Sequence, residues 1–229
     1  MKKVSKRRNV KRSPSGRTKR LPDVPGIRHE QPWWDQGAVV AGVDEVGRGA
    51  WAGPVTYAAV VMPTDRRIYK LRESKMVDAA TRVELKARLE GFALAIGIGH
   101  VHNDELDRIG MSAACKLAAK RAVDTLGLRP DVLLIDGNWD FLAGYGTTNE
   151  LIVHGDAMSA SVAAASIVAK VTRDAMMIEA AQAHPVYAFE SNKGYPSPAH
   201  VAALDEYGPC AMHRHSWAPI AALTTPRLF

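Results

Sequence analysis

Four acidic residues stand where apolar segments stop. Asp44 and Glu45 close "AVVAGVDE", Asp136 closes "VLLID", and Asp156 closes "ELIVHGD". One aspartate at a strand end is an ordinary turn former or helix cap. Four acids on three strand ends, drawn within a few ångströms, would repel one another and resist ionisation unless cations came between them. Mg2+ and Mn2+ favour carboxylate and water oxygens. A pair of such ions about 3.5–4 Å apart activates an attacking water and steadies the leaving oxygen of a phosphodiester. That chemistry requires the strand ends to converge, which spacing along the chain leaves open.

Beside the first pair of acids runs "GRGAWAG", residues 47–53, a G-x-G-x-x-x-G pattern. It is one residue longer than the dinucleotide fingerprint, and no phosphate-loop Lys-Ser/Thr follows. Two readings stand. The glycines bend the chain between two strands, or they bare backbone N–H and C=O groups to a sugar hydroxyl. The 2′-OH is the group that distinguishes RNA from DNA.

The elements that must carry these residues follow from apolar periodicity. "AVVAGVD" (38–44) and "PVTYAAVVM" (54–62) read as two buried strands joined by the glycine loop, like a hairpin. Residues 78–92 read as a helix behind an Asp78 cap, with Val83, Leu85, Leu89 and Phe92 as its apolar positions. "ALAIGIGHV" (93–101) returns to strand, its small residues permitting close packing, and residues 112–126 form an amphipathic helix ended by Gly127 and Pro130. "VLLID" (132–136) and "ELIVHGD" (150–156) are further strands, and residues 159–182 form a long Ala-rich helix. Strands alternating with helices give an α/β class, and the hairpin makes a mixed sheet the expectation.

Charge divides the chain. Residues 1–20 hold ten Lys/Arg and no acid, leaving 20 of the 30 bases against 24 acids in the rest, a net −4. Such a run, with Ser, Pro and Gly and few apolar residues, cannot bury enough to order itself. It is a solubilising arm or an arm for polyanions, and the absence of any acid favours the second. The division places a disordered basic arm and linker at residues 1–37, with Trp33 and Trp34 packing on the body, and one catalytic domain at 38–229. Apolar residues make up 47% of the 229, enough for one substantial core. No window approaches the ~18 uninterrupted apolar residues of a membrane span. Arg7-Arg8 is not followed by the apolar region of an export signal. Cys115 and Cys210 stand far apart as lone thiols, which fits a reducing cytoplasm. The expectation is a cytoplasmic monomer without membrane contact.

Taken in order, "AGVDEVGRG", "SK" at 74–75, "IDG", "GDAMSASVAAASIVAKVTRD", "NKGYPSPAH" and "HRHSW" resemble type 2 ribonuclease H, the ribonuclease HII family. The resemblance covers roughly residues 38 to 218. It implies a ribonuclease H-like mixed β-sheet flanked by helices, with a helical C-terminal segment. It implies an endonuclease that cuts on the 5′ side of a ribonucleotide in duplex DNA, or within an RNA–DNA hybrid, leaving 3′-hydroxyl and 5′-phosphate ends with Mn2+ or Mg2+ as cofactor, two ions at catalysis. Its metal-binding tetrad would be Asp44, Glu45, Asp136 and Asp156. Gly47, Arg48 and Gly49 would read the 2′-OH, and Tyr195 would stack on the sugar that follows the ribonucleotide. Lys75 either contacts backbone phosphate or, as an exposed lysine after a strand usually is, is simply solvated. The chain departs from the family in "AWAGP" where "PLAGP" is usual, and in "SNKGY", which lacks a histidine before Lys193. His213 and His215 have no third ligand nearby and are expected to be structural. The terminal "RLF" resembles short sliding-clamp peptides, a weak pointer to a clamp contact. Two rivals remain: a junction resolvase of the same fold, needing the acids but not the Gly-Arg-Gly loop or Tyr195, and an architectural nucleic-acid binder in which the acids are structural.

Overall fold

The structure is a computed structural model describing residues 24–68, 71 and 77–224. The basic run, Lys75 and the terminal "RLF" lie outside the described residues. Along the chain come α1 (Gln31–Trp34), β1 (Val40–Val46), β2 (Val55–Val61), α2 (Ala79–Glu90) and β3 (Ala95–Val101). Then follow α3 (Asn103–Ile109), α4 (Met111–Asp124), β4 (Val132–Asp136), β5 (Thr148–Ile152), α5 (Gly155–Met158) and α6 (Ala160–Ala183). The C-terminal part holds α7 (Phe189–Asn192), α8 (Pro198–Tyr207) and α9 (Ala218–Thr224).

The strands form one mixed sheet in the order β3-β2-β1-β4-β5. β1 pairs antiparallel with β2, as a hairpin should, and parallel with β4. The alternation of side chains along a strand divides β1 between two layers. Ala41 and Val43 join the apolar cluster under α4, with Ala118, Ala119 and Ala122. Val40 meets Val162 of α6 on the other face. Between them Gly42 lets α6 reach the sheet backbone, because a Cβ there would lie 2.1 Å from the Ser161 carbonyl carbon. The long helix is thereby seated across the strand that ends in Asp44.

Two expectations are corrected. The fifth strand stops at Ile152, and Asp156 stands on the short helix α5, because His154 turns the chain through a left-handed conformation (φ 60°). Val83 is 58% exposed, so α2 buries only Leu85 and Leu89. Helix α3 was not anticipated; its seven residues bury one apolar side chain, Leu106, too few for a periodic signal. The Asp78 cap is present, its carboxylate accepting the Thr81 N–H at 2.9 Å.

Residues 24–37 pack on the sheet and α6 rather than only tethering an arm. Trp33 and Trp34 lie against Val40, Val132 and Val162. Glu30 is fully buried and accepts from the Ser159 hydroxyl (2.6 Å) and the Ser161 N–H (2.8 Å). A carboxylate at the first turn of a 24-residue helix meets the positive end of its dipole and satisfies an otherwise orphan N–H.

Candidate active site

The parallel register of β1 and β4 brings the acids together. Val43 is paired with Ile135, so the next residues, Asp44 and Asp136, end adjacent strands side by side. Asp136 follows Val132 and Leu134 in period two, which pack with Val40 and Val162, so it shares the α6 face with Asp44. The Asp136 carboxylate accepts the Gly155 N–H at 2.6 Å, which draws the start of α5 and its Asp156 to the same place. Asp44, Glu45, Asp136 and Asp156 all line one cavity of about 380 Å3, together with Gly47, Arg48, Gly49, Arg82, Ser166, Lys170 and Tyr195.

Asp44 and Asp156 are nearly buried, 6% and 5% exposed. Burial, then the charges of Asp136 and Glu45, raise the Asp44 carboxyl well above the usual carboxylate range, against a lowering hydrogen bond from Ser166. After burial, the forces that raise it are the neighbouring acids Asp136, Glu45 and Asp156, whose effect a cation would reverse. The donors are all oxygen, the set preferred by Mg2+ and Mn2+. Among the described residues no three His, Cys, Asp or Glu side chains close around a single point. They line an open cavity instead, and this fits a small cation that keeps several waters and takes only one or two carboxylates.

The glycine loop is held from behind by two arginines. Arg214 is fully buried and donates to the carbonyls of Gly47 (2.6 Å), Ala50 (2.7 Å), Arg48 (3.0 Å) and Gly53 (3.0 Å). Arg173, equally buried, donates to Pro54 (2.8 Å), Ala52 (3.0 Å) and Lys193 (2.8 Å). Burial lowers both guanidinium pKa values, that of Arg214 to about 10, which still leaves Arg214 charged at neutral pH. Gly47 requires its lack of a side chain twice over. Its φ is +87°, and a Cβ would fall 2.2 Å from Arg173 Nε. With the Gly47 and Arg48 carbonyls engaged by Arg214, the loop keeps the N–H groups of Arg48 and Gly49 without a partner among the described residues. Those are donors available to a ligand oxygen.

Tyr195 closes the cavity beside this loop. Its hydroxyl accepts the Gly47 N–H at 3.1 Å, and its ring lies 5.4 Å from the Arg173 guanidinium and 6.0 Å from the Lys170 ammonium. Two buried histidines hold its backbone. The Cys210 N–H donates to His213 Nδ1 (2.9 Å), which leaves the proton on Nε2 to be given to His200 Nε2 (2.9 Å). His200 Nδ1–H then donates to the Tyr195 carbonyl (2.9 Å). The chain of bonds needs both rings neutral. Burial, with His200 next to it, pushes His213 down to about 4, and burial also lowers His200.

The structure thus gathers every candidate residue in one cavity except Lys75, which lies outside the described residues. His213 is buried and bonded as expected of a structural histidine. Sequence reasoning missed Ser166, Lys170, Arg173, His200 and Arg214. The residues lay inside the motifs "ASIVAKVTRD", "SPAH" and "HRHSW", yet nothing in one chain marks an arginine that will be buried against carbonyls.

A family model described as ribonuclease HII matches residues 41–220. The chain is 46% identical over 185 residues to a ribonuclease HII of Streptomyces coelicolor, covering 81% of this chain and 79% of that one. It is 43% identical over 217 residues to a ribonuclease HII of Parvibaculum lavamentivorans, covering 95% and 80%. Among solved structures it resembles the ribonuclease HII in a PCNA:RNase HII complex from Archaeoglobus fulgidus (TM-score 0.69, 22% identity, 82% of this chain and 98% of that one). It also resembles Bst-RNase HIII in complex with Mn2+ (TM-score 0.60, 17% identity, 81% and 69%).

Proposed function

Because the chain belongs to the ribonuclease HII family and is a type 2 ribonuclease H, we propose that it cuts the phosphodiester on the 5′ side of ribonucleotides embedded in duplex DNA and within the RNA strand of RNA–DNA hybrids. The products would carry 3′-hydroxyl and 5′-phosphate ends, and the role would be ribonucleotide removal from DNA. One observation carries this reading: four carboxylates and the Gly47-Arg48-Gly49 loop with Tyr195 line the same cavity. The first group suits phosphodiester hydrolysis, and the second suits recognition of a sugar hydroxyl beside it.

Asp44, Glu45, Asp136 and Asp156 would hold Mn2+ or Mg2+. Bound there, the cations would supply Lewis acidity and charge neutralisation at the scissile phosphate. The chain's own residues do the rest. Arg214 and Arg173 keep the loop rigid, so the Arg48 and Gly49 N–H groups meet a 2′-OH without reorganising. Tyr195, fixed by Gly47 and His200, offers a flat face to the next sugar. Arg82 and Lys170 bring positive charge to the cavity wall for phosphate.

The A. fulgidus protein is found in a complex with PCNA, and this chain's terminal Arg227-Leu228-Phe229 would serve a weak sliding-clamp contact. Among the described residues no helix is long and apolar enough to cross a membrane, and a cytoplasmic monomer is the proposed state. The decisive assay incubates duplex DNA containing one ribonucleotide, and an all-DNA control, with Mn2+ or Mg2+ and maps the ends. Cleavage on the 5′ side of the ribonucleotide alone is expected. Cutting of all-DNA junctions, or binding without cutting, would overturn the assignment.

A further inference from the structure

Trp139 stands three residues beyond Asp136, on the loop that leaves the carboxylates, and is 56% exposed. Isolated exposed apolar side chains need no explanation, but this one is held in place. Its ring lies parallel to Phe141, 5.9 Å between centroids and 4° between planes. Phe141 is buried, packs edge-on against Tyr57, and carries the Arg48 guanidinium 5.3 Å from its centroid. The loop backbone is fixed by Asp140, which accepts the Leu142 N–H at 2.9 Å and the Asn149 amide on both oxygens at 3.0 Å. A ring already fixed before a ligand arrives has little freedom left to lose on binding.

Arg48 lines the cavity, and its contact with Phe141 and the stacking of Phe141 on Trp139 link the cavity to an exposed indole, with a cation at one end of the series and a flat apolar face at the other. A nucleic-acid strand alternates the same two features, a phosphate and the flat faces of sugar and base. We propose that Trp139 is a docking contact for the nucleic-acid substrate, its indole face against a nucleotide of the strand that passes over Arg48. This rests on the nuclease reading above. The contact adds affinity without selecting sequence or sugar, because every nucleotide offers such a face.

The test compares wild type, Trp139→Ala and Trp139→Phe. Binding is titrated in EDTA against labelled duplex DNA with one ribonucleotide and against an all-DNA duplex, and cleavage of the first is followed with Mn2+. Trp139→Ala should bind both duplexes roughly 5- to 100-fold more weakly and raise KM by a similar factor. Its kcat at saturating substrate and its melting temperature should stay at wild-type values, and Trp139→Phe should recover most of the loss. Unchanged Kd and KM in Trp139→Ala overturn the proposal. A loss confined to kcat also overturns it, making the loop a support for Asp136 instead. Failure of wild type itself to cut the ribonucleotide duplex would bring down the nuclease reading, and this contact with it.

Discussion

The two halves of the cavity are built in opposite ways. The carboxylate half sets four acids at adjoining element ends, and burial, then Asp136 and Glu45, raise the Asp44 carboxyl. The loop half contains two fully buried guanidiniums, and their donors go to backbone carbonyls. One half gathers like charge that a bound cation would relieve; in the other the donors are satisfied from within. Substitutions should therefore separate the two. Removing an acid should abolish turnover and leave the metal-free fold intact or firmer. Removing an arginine should loosen the fold first.

The largest expected effect is on the acid side. Asp136→Asn keeps an oxygen for the Gly155 N–H but removes one charge from the proposed metal site. Loss of several kcal/mol of charge stabilisation corresponds to about 10^3-fold or more in cleavage rate. Its melting temperature in EDTA should be no lower than wild type. Near-normal cleavage would show that Asp136 holds no metal.

On the loop side, Arg214→Met should lower stability by about 3–5 kcal/mol, since four buried carbonyls lose their donor. In a chain of this size that is roughly 6–20 °C in melting temperature. Arg214→Lys should recover little, because one ammonium cannot reach four carbonyls as a planar fork does. A melting curve within 2 °C of wild type for Arg214→Met would mean that the loop does not depend on its clamp.

These two halves also differ in how far sequence exposes them. Asp44, Glu45 and Asp136 were legible because an apolar run that ends in acid is locally odd, and because the hairpin and the β4 strand were themselves legible. Asp156 was found as an acid but placed on a strand, since the left-handed His154 that starts α5 has no compositional sign. Arg173 and Arg214 were illegible for a physical reason. An arginine in a helix or tail is ordinarily solvated, and only the folded chain brings carbonyls from residues 47–54 and 193 around it. Buried Glu30 escaped notice in the same way, inside a segment whose Pro and Gly content suggests a linker.

Tyr195 bridges the two halves and sharpens the comparison. Tyr195→Ala removes both its ring and the partner of the Gly47 N–H. The expected loss at a single embedded ribonucleotide is about 1–3 kcal/mol, by analogy with base–aromatic stacking, and smaller inside continuous hybrid. Tyr195→Phe loses only the hydroxyl, for about 1 kcal/mol. Cleavage rates on the two substrates decide the matter, and an equal loss on both would leave Tyr195 a general binding residue.

The smallest effect is the most direct measure of what burial, with the neighbouring acids, costs the Asp44 carboxylate. In the folded protein the Asp44 carboxyl is raised above its unfolded value, for which 3.8 is the reference. Between those two values the native state holds more protons than the unfolded state, so stability falls as pH rises through that window. Below about 3.8 both states are protonated and the penalty vanishes; above the folded value it is fully present. Asp44→Asn does not titrate and keeps an oxygen for the Glu45 N–H, which wild-type Asp44 accepts at 2.7 Å. In EDTA the variant should melt near wild type at low pH and above it at neutral pH, by about 2–4 °C for each kcal/mol of that penalty removed. Saturating Mn2+ should reverse the order, because the wild type gains more from a ligand that only the folded state binds. A difference that is flat across pH, or a metal-free variant that melts lower at pH 7, would show that Asp44 is not the strained member of the cluster.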